Sequence, residues 1–242
     1  MTPRISRPLV VVLATTLAAG TLGCGLLNQA QDLVNNAQVL SDFADRLGKA
    51  QTLTYTADYV TPDGATVTLA QQPPNTAFIA KDTRFIFTQE AIFLCSTEQA
   101  VLTCQKSPNS QSTMDSSDAQ LMGGLGGPGF VMPEVALGLI LAASLVPGAK
   151  VEQSTQTIAG QGAKCASATG LDAAASPGDS DSPKEFTVCV TDAGILGSFT
   201  ATSTAGERVG IELTKYSDAA DVALFAPPAG AKIVDVTQIQ PS

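Results

Sequence analysis

The chain has 242 residues, 44% of them hydrophobic, and 13 Lys and Arg against 22 Asp and Glu give a net charge of −9. That balance argues against nucleic acid as a partner and against electrostatic adhesion to anionic lipid head groups. With no His in the chain, Ser-His-Asp and Cys-His catalysis and the commonest zinc ligand drop out. No enzyme, metal site or cofactor is expected.

The first elements read as a leader. Arg4 and Arg7 precede an apolar run from Val10 to Ala19 that is too short to span a bilayer. Thr21-Leu22-Gly23-Cys24 follows and resembles the lipobox of bacterial lipoproteins, with Thr21 where that family prefers Leu. The resemblance implies a signal peptide over 1–23, a diacylglyceryl group with palmitate-type chains on the Cys24 thiol, and cleavage before Cys24 that leaves it as the first residue. Ordinary secretion, with cleavage near Ala18-Ala19-Gly20, is the alternative. A mature chain of 24–242 loses Arg4 and Arg7, so eleven basic residues face 22 acidic ones and the charge moves to −11. Attachment to a membrane would then come from the acyl chains. Cysteine parity supports this: of five Cys, assigning Cys24 to lipid leaves Cys95, Cys104, Cys165 and Cys189, an even set in an oxidising compartment.

Leu26 to Ala50 reads as an amphipathic helix, with Leu33, Ala37, Leu40, Ala44 and Leu47 at steps of four and three and Gly48 as its stop. The period then falls to two. Leu53, Tyr55, Ala57 and Tyr59 alternate with polar residues, Thr61-Pro62-Asp63-Gly64 makes a turn, and Ala65, Val67 and Leu69 complete a hairpin. Further strands are expected at 76–81, 84–88, 91–95 and 101–106, joined too tightly to be anything but antiparallel neighbours. Residues 107–129 read as a flexible Gly-rich loop. Gly124, Gly126 and Gly129 fit a phosphate-binding spacing only formally, because no strand precedes them and Pro128 deletes a donor.

Pro133 to Leu145 is the most apolar stretch after the leader and reads as a buried helix. Its apolar residues run all round, so protein, membrane or ligand must cover its far side. Five more strands are expected at 149–158, 163–169, 185–191, 195–204 and 207–216, with 170–184 an exposed loop and Phe225 returning to the core. If 163–169 pairs antiparallel with 185–191, Cys165 faces Cys189. Cys95 and Cys104 flank one hairpin. Disulfides Cys95–Cys104 and Cys165–Cys189 follow from those registers, in preference to a zinc site.

One helix, about six strands, a central apolar helix and about five more strands resemble the bacterial lipoprotein-carrier superfamily of LolA, LolB, LprG and LppX. So does the tail Leu224-Phe225-Ala226-Pro227-Pro228-Ala229-Gly230-Ala231. The resemblance spans roughly Leu26 to Val236. It implies an α+β domain in which a curved antiparallel half-barrel of about 11 strands wraps around the helices. Acyl chains would bind between sheet and helices. The sheet offers Tyr55, Tyr59, Val67, Leu69, Phe78, Phe85, Phe87 and Phe93 for such a site, and the helix offers Leu137 and Leu141. Two functions are in view. One is a membrane-anchored lipoprotein on the extracytoplasmic face of the cell membrane that binds or transfers lipid. The other is an anchored interaction or sensory module with an envelope protein partner and no small-molecule ligand.

Overall fold

The computed structural model describes residues 38–39, 41–98, 101–109, 133–174, 180 and 182–236, the side chains of Glu98, Pro133, Glu134, Leu137 and Ala174 excepted. The leader, Cys24, the start of the first helix and the glycines of 124–129 lie outside these residues.

Helical residues 38–39 and 41–50 form α1. A run of strands follows: β1 (Tyr55–Val60), β2 (Thr66–Gln72), β3 (Asn75–Ile79), β4 (Thr83–Phe87), β5 (Ala91–Glu98) and β6 (Val101–Pro108). Helix α2 (Pro133–Ser144) separates them from β7 (Lys150–Ile158), β8 (Gln161–Thr169), β9 (Pro183–Thr191), β10 (Leu196–Ser203) and β11 (Arg208–Ser217). A final strand, β12 (Lys232–Asp235), closes the series. All twelve belong to one curved, unclosed sheet in the order β12-β6-β5-β4-β3-β2-β1-β11-β10-β9-β8-β7. The last short extended piece is thus a twelfth strand, and it lies parallel to β6.

The two meanders meet at β1 and β11, where Ala57 stands opposite Tyr216 and Tyr59 opposite Leu213. The strands either side of α2 therefore end up far apart: β6 lies near one edge of the sheet and β7 at the other. The chain between them has to cross the sheet, and α2 sits on that crossing, packed against β7 and β8.

Turn chemistry fixes the hairpins. At the β1–β2 turn Gly64 takes a φ of +81°, which glycine adopts without a side-chain penalty. The Asp63 carboxylate accepts from the Thr61 hydroxyl and, at 3.4 Å, from the Ala65 amide. Those bonds, the Thr61 one first, hold its pKa below the usual carboxylate value.

Alternation sorts the side chains. On the inner face Tyr59 pairs with Val67, Ala57 with Leu69, Leu69 with Phe78, and Phe78 with Phe85. These join Phe186, Val188, Phe199 and Ile211 in one core, covered by Val39, Phe43 and Leu47 of α1 and by Ala136, Ile140 and Ala143 of α2. The outer face carries a second, smaller cluster of Ala70, Ala77, Ile86 and Phe225. Phe225 comes from the 3-10 turn Val222–Phe225, which Asp221 caps by accepting from the Ala223 amide at 2.9 Å. It packs beneath the sheet and not in the main core.

Three expectations need correcting. The buried stripe of α1 is Val39, Phe43, Leu47 and Ala50, with Ala44 exposed. The larger apolar surfaces of Val39 and Phe43 set the rotation where small alanines do not. The helix also runs past Gly48 to Ala50. Finally, 170–184 is not an exposed loop throughout: the 3-10 turn Leu171–Ala174 buries Leu171, and β9 begins at Pro183.

Candidate functional site

Both disulfides are cross-strand bridges. Cys95 pairs with Cys104 in β5–β6 and Cys165 with Cys189 in β8–β9, with S–S distances of 2.05 and 2.13 Å. All four sulfurs belong to buried residues. They tie hairpins together and present no exposed thiol.

Around the inner face the helices are held by specific polar contacts. Gln71 lies on that face and its amide donates to the carbonyls of Ala50 at 2.7 Å and Leu53 at 3.0 Å, adding a second bond to the Ala50 carbonyl that the Leu53 amide also reaches at 3.1 Å. Arg46 donates to Asp192 at 2.8 Å, and Lys164 to Asp42 at 2.6 Å. The Lys164 hydrogen bond, ahead of opposing desolvation, lowers the Asp42 pKa. At Gly194 (φ +92°) an added Cβ would stand 2.2 Å from the Arg46 carbonyl oxygen, so α1 rests directly on the β9–β10 turn.

Of the residues singled out in the sequence, Tyr55, Tyr59, Val67, Leu69, Phe78, Phe85 and Phe87 are brought together in the buried core. Tyr59 donates to the Leu196 carbonyl at 2.9 Å, and full burial pushes its hydroxyl pKa well up. Phe93 is not with them. It stands opposite Ile86, while Leu94 stands opposite Phe85, so Phe93 faces outward and packs with the Phe225 cluster.

On α2 the stripe Ala136, Ile140 and Ala143 is buried, while Val135, Leu141 and Leu145 are 42%, 47% and 71% exposed. Leu141 therefore does not line an interior cavity, which corrects the expectation for it. The Leu137 side chain lies outside the described residues. An apolar pocket of about 150 Å³ opens beside α2, lined mainly by Leu139, Ala142, Ala143, Val146, Leu171 and Phe186. Only the helix was foreseen here. Leu139 and Phe186 carry no individual signal in the sequence, because nothing local says which strand of the concave face the helix covers.

No protein-family description matches the chain, and no curated protein matches it. Among solved structures, it is similar to an uncharacterized conserved protein from Thermus thermophilus, with a TM-score of 0.46 and 10% identity over 81% of this chain and 98% of that one. It is also similar to the lipoprotein LppX of Mycobacterium tuberculosis, with a TM-score of 0.37 and 12% identity over 82% of this chain and 98% of that one. Among the described residues no helix is long and apolar enough to cross a membrane.

Proposed function

We propose that this chain is a cell-envelope lipoprotein, anchored through Cys24 on the extracytoplasmic face of the membrane, whose 24–242 domain binds or transfers lipid acyl chains. The observation that carries this is the apolar pocket between α2 and Phe186, next to a helix whose outer side is also apolar. A methylene chain gains about 0.8 kcal/mol for each CH₂ it buries and asks for no polar partner. The pocket suits the end of such a chain. Seating a longer stretch requires α2 to lift. Among its described side chains the buried ones are Ile140 and the alanines Ala136 and Ala143, and the alanines cost little to expose.

A second reading has its own support. Tyr55, Tyr59 and Phe85 fill a packed core, and Val135, Leu141 and Leu145 form an external apolar patch. Both features suit an anchored interaction or sensory module that docks an envelope protein through α2. Expressing the full chain with Cys24→Ala, extracting the purified protein with organic solvent and analysing the extract by mass spectrometry separates the two. A bound acyl lipid at near-stoichiometric yield supports the carrier function. An empty extract, together with no uptake of added lipids of several classes, sinks it and leaves the interaction module.

A further inference from the structure

The largest hollow among those described lies on the opposite side of the sheet from the apolar pocket. Thr200 of β10 stands opposite Thr187 of β9 and Gly210 of β11, and Thr202 stands opposite Glu185 and Arg208. These positions alternate with the inward-facing Phe199 and Ile211, so they form the outer face. Two adjoining hollows of about 540 and 330 Å³ share Thr187, Thr200 and Arg208. The larger is walled by Gln156 and Thr157 at the end of β7 and by Thr61 and Pro62 of the β1–β2 turn. Both volumes fall within the ~300–1,000 Å³ of small-molecule sites.

The floor is backbone at Gly210, where β10 and β11 approach so closely that the residue is buried. A Cβ there would meet the Phe199 carbonyl oxygen at 2.3 Å, so no side chain fits between the two strands. Around it the half-buried hydroxyls of Ser198, Thr200 and Thr202 have no protein partner among the described residues, and neither do Arg208, Glu185 and Glu212.

We propose that this outer groove binds a neutral, hydroxyl-rich ligand, an oligosaccharide. The donor and acceptor set selects for it. The Arg208 guanidinium only donates, the Glu185 and Glu212 carboxylates only accept, and the Ser and Thr hydroxyls do both. A sugar hydroxyl donates and accepts at once and so satisfies all three kinds of partner. A phosphate or carboxylate ligand would bring its charge against two carboxylates for one guanidinium. A cationic ligand would suit the two carboxylates but, having no acceptor, would leave the Arg208 donors unserved. An alkyl chain would strip water from these polar groups without replacing its hydrogen bonds. The groove opens on the other face of β9 from the pocket beside α2, the two sharing only Phe186, so the site stands whether or not the chain carries lipid.

The test uses the full chain in a detergent without a sugar head group, titrated by calorimetry with maltohexaose, a mannohexaose and a hexamer of N-acetylglucosamine. At least one should bind. Arg208→Ala and Thr200→Val should each weaken that binding at least tenfold with the melting temperature unchanged, while Ala142→Trp, in the apolar pocket, should not affect it. Absence of binding by all three hexamers overturns the proposal, as does binding that survives both groove variants. Binding of inorganic phosphate that Arg208→Ala abolishes, with no sugar bound, also overturns it and makes the groove an anion site.

Discussion

The side-chain amide of Gln71 donates to the carbonyl of Ala50 at 2.7 Å, joining the inner face of β2 to the last turn of α1. A second bond from the same nitrogen reaches the Leu53 carbonyl at 3.0 Å. Gln71→Leu keeps the bulk and removes both donors; the Ala50 carbonyl keeps only its bond from the Leu53 amide at 3.1 Å, and the Leu53 carbonyl loses its Gln71 bond. Denaturant unfolding should show a loss of about 1–3 kcal/mol, whereas Gln72→Leu, one position along and on the other face, should lie within about 0.5 kcal/mol of wild type.

Phe43 is fully buried and Ala44 is exposed. Phe43→Ala should destabilise the fold by about 3–5 kcal/mol. Ala44→Gln should be nearly neutral, because it changes only the solvent side of α1. Equal effects at the two positions would mean that the helix is rotated from the orientation described.

Non-reducing peptide mapping should recover Cys95 linked to Cys104 and Cys165 linked to Cys189. Replacing Cys165 and Cys189 together by Ala should lower stability by roughly 3 kcal/mol, mainly by freeing the unfolded chain. A peptide joining either of the first two cysteines to either of the last two would contradict the strand registers.

Asp42 and Lys164 give a pH signature. The Asp42 pKa is depressed in the folded state, chiefly by the Lys164 hydrogen bond. Its contribution is therefore present above the ordinary carboxylate range and lost as pH falls through the lowered folded value. Both side chains are 37% exposed, so screening keeps the effect below about 1 kcal/mol. Asp42→Asn should be slightly less stable than wild type at pH 7, and the gap should close in strong acid. A gap that widens on acidification would contradict the assignment.

Much of this architecture was legible because period-two alternation is strong in this chain. Cys165 opposite Cys189 followed from strand ends alone, since an antiparallel register with both ends fixed leaves no freedom. The same logic, carried across β4 and β5, separates Phe93 from Phe85: Leu94 is the residue opposite Phe85, so its neighbour has to face outward. Position within α2 was not legible, because with almost no polar residue to mark a wet side, Leu139 and Leu141 look alike. Only what lies beneath, Phe186 of β9 and Leu171 of the 3-10 turn, decides that Leu139 turns inward. The outer groove was hidden for a different reason. Its hydroxyls come from β9 and β10 and its guanidinium from β11, and spread along the sequence they read as the ordinary wet face of each strand.

Anchoring is tested at Cys24. If acyl chains on Cys24 are the attachment, as proposed, Cys24→Ala should abolish cleavage before that residue and move the protein from the membrane fraction to the soluble one. Unchanged fractionation of that variant would assign attachment to some other part of the chain.

The proposed acyl-chain binding at α2 is tested most directly with a fluorescent fatty-acyl probe added to the full chain and to two Trp variants of that helix. Ala142 is exposed yet lines the pocket mouth, and Leu141 is exposed outside it. Ala142→Trp should block the mouth without overpacking the core and reduce uptake at least tenfold, while Leu141→Trp should bind about as well as wild type. Uptake by Ala142→Trp equal to that of wild type, or no uptake by any of the three proteins, would contradict acyl-chain binding at this site.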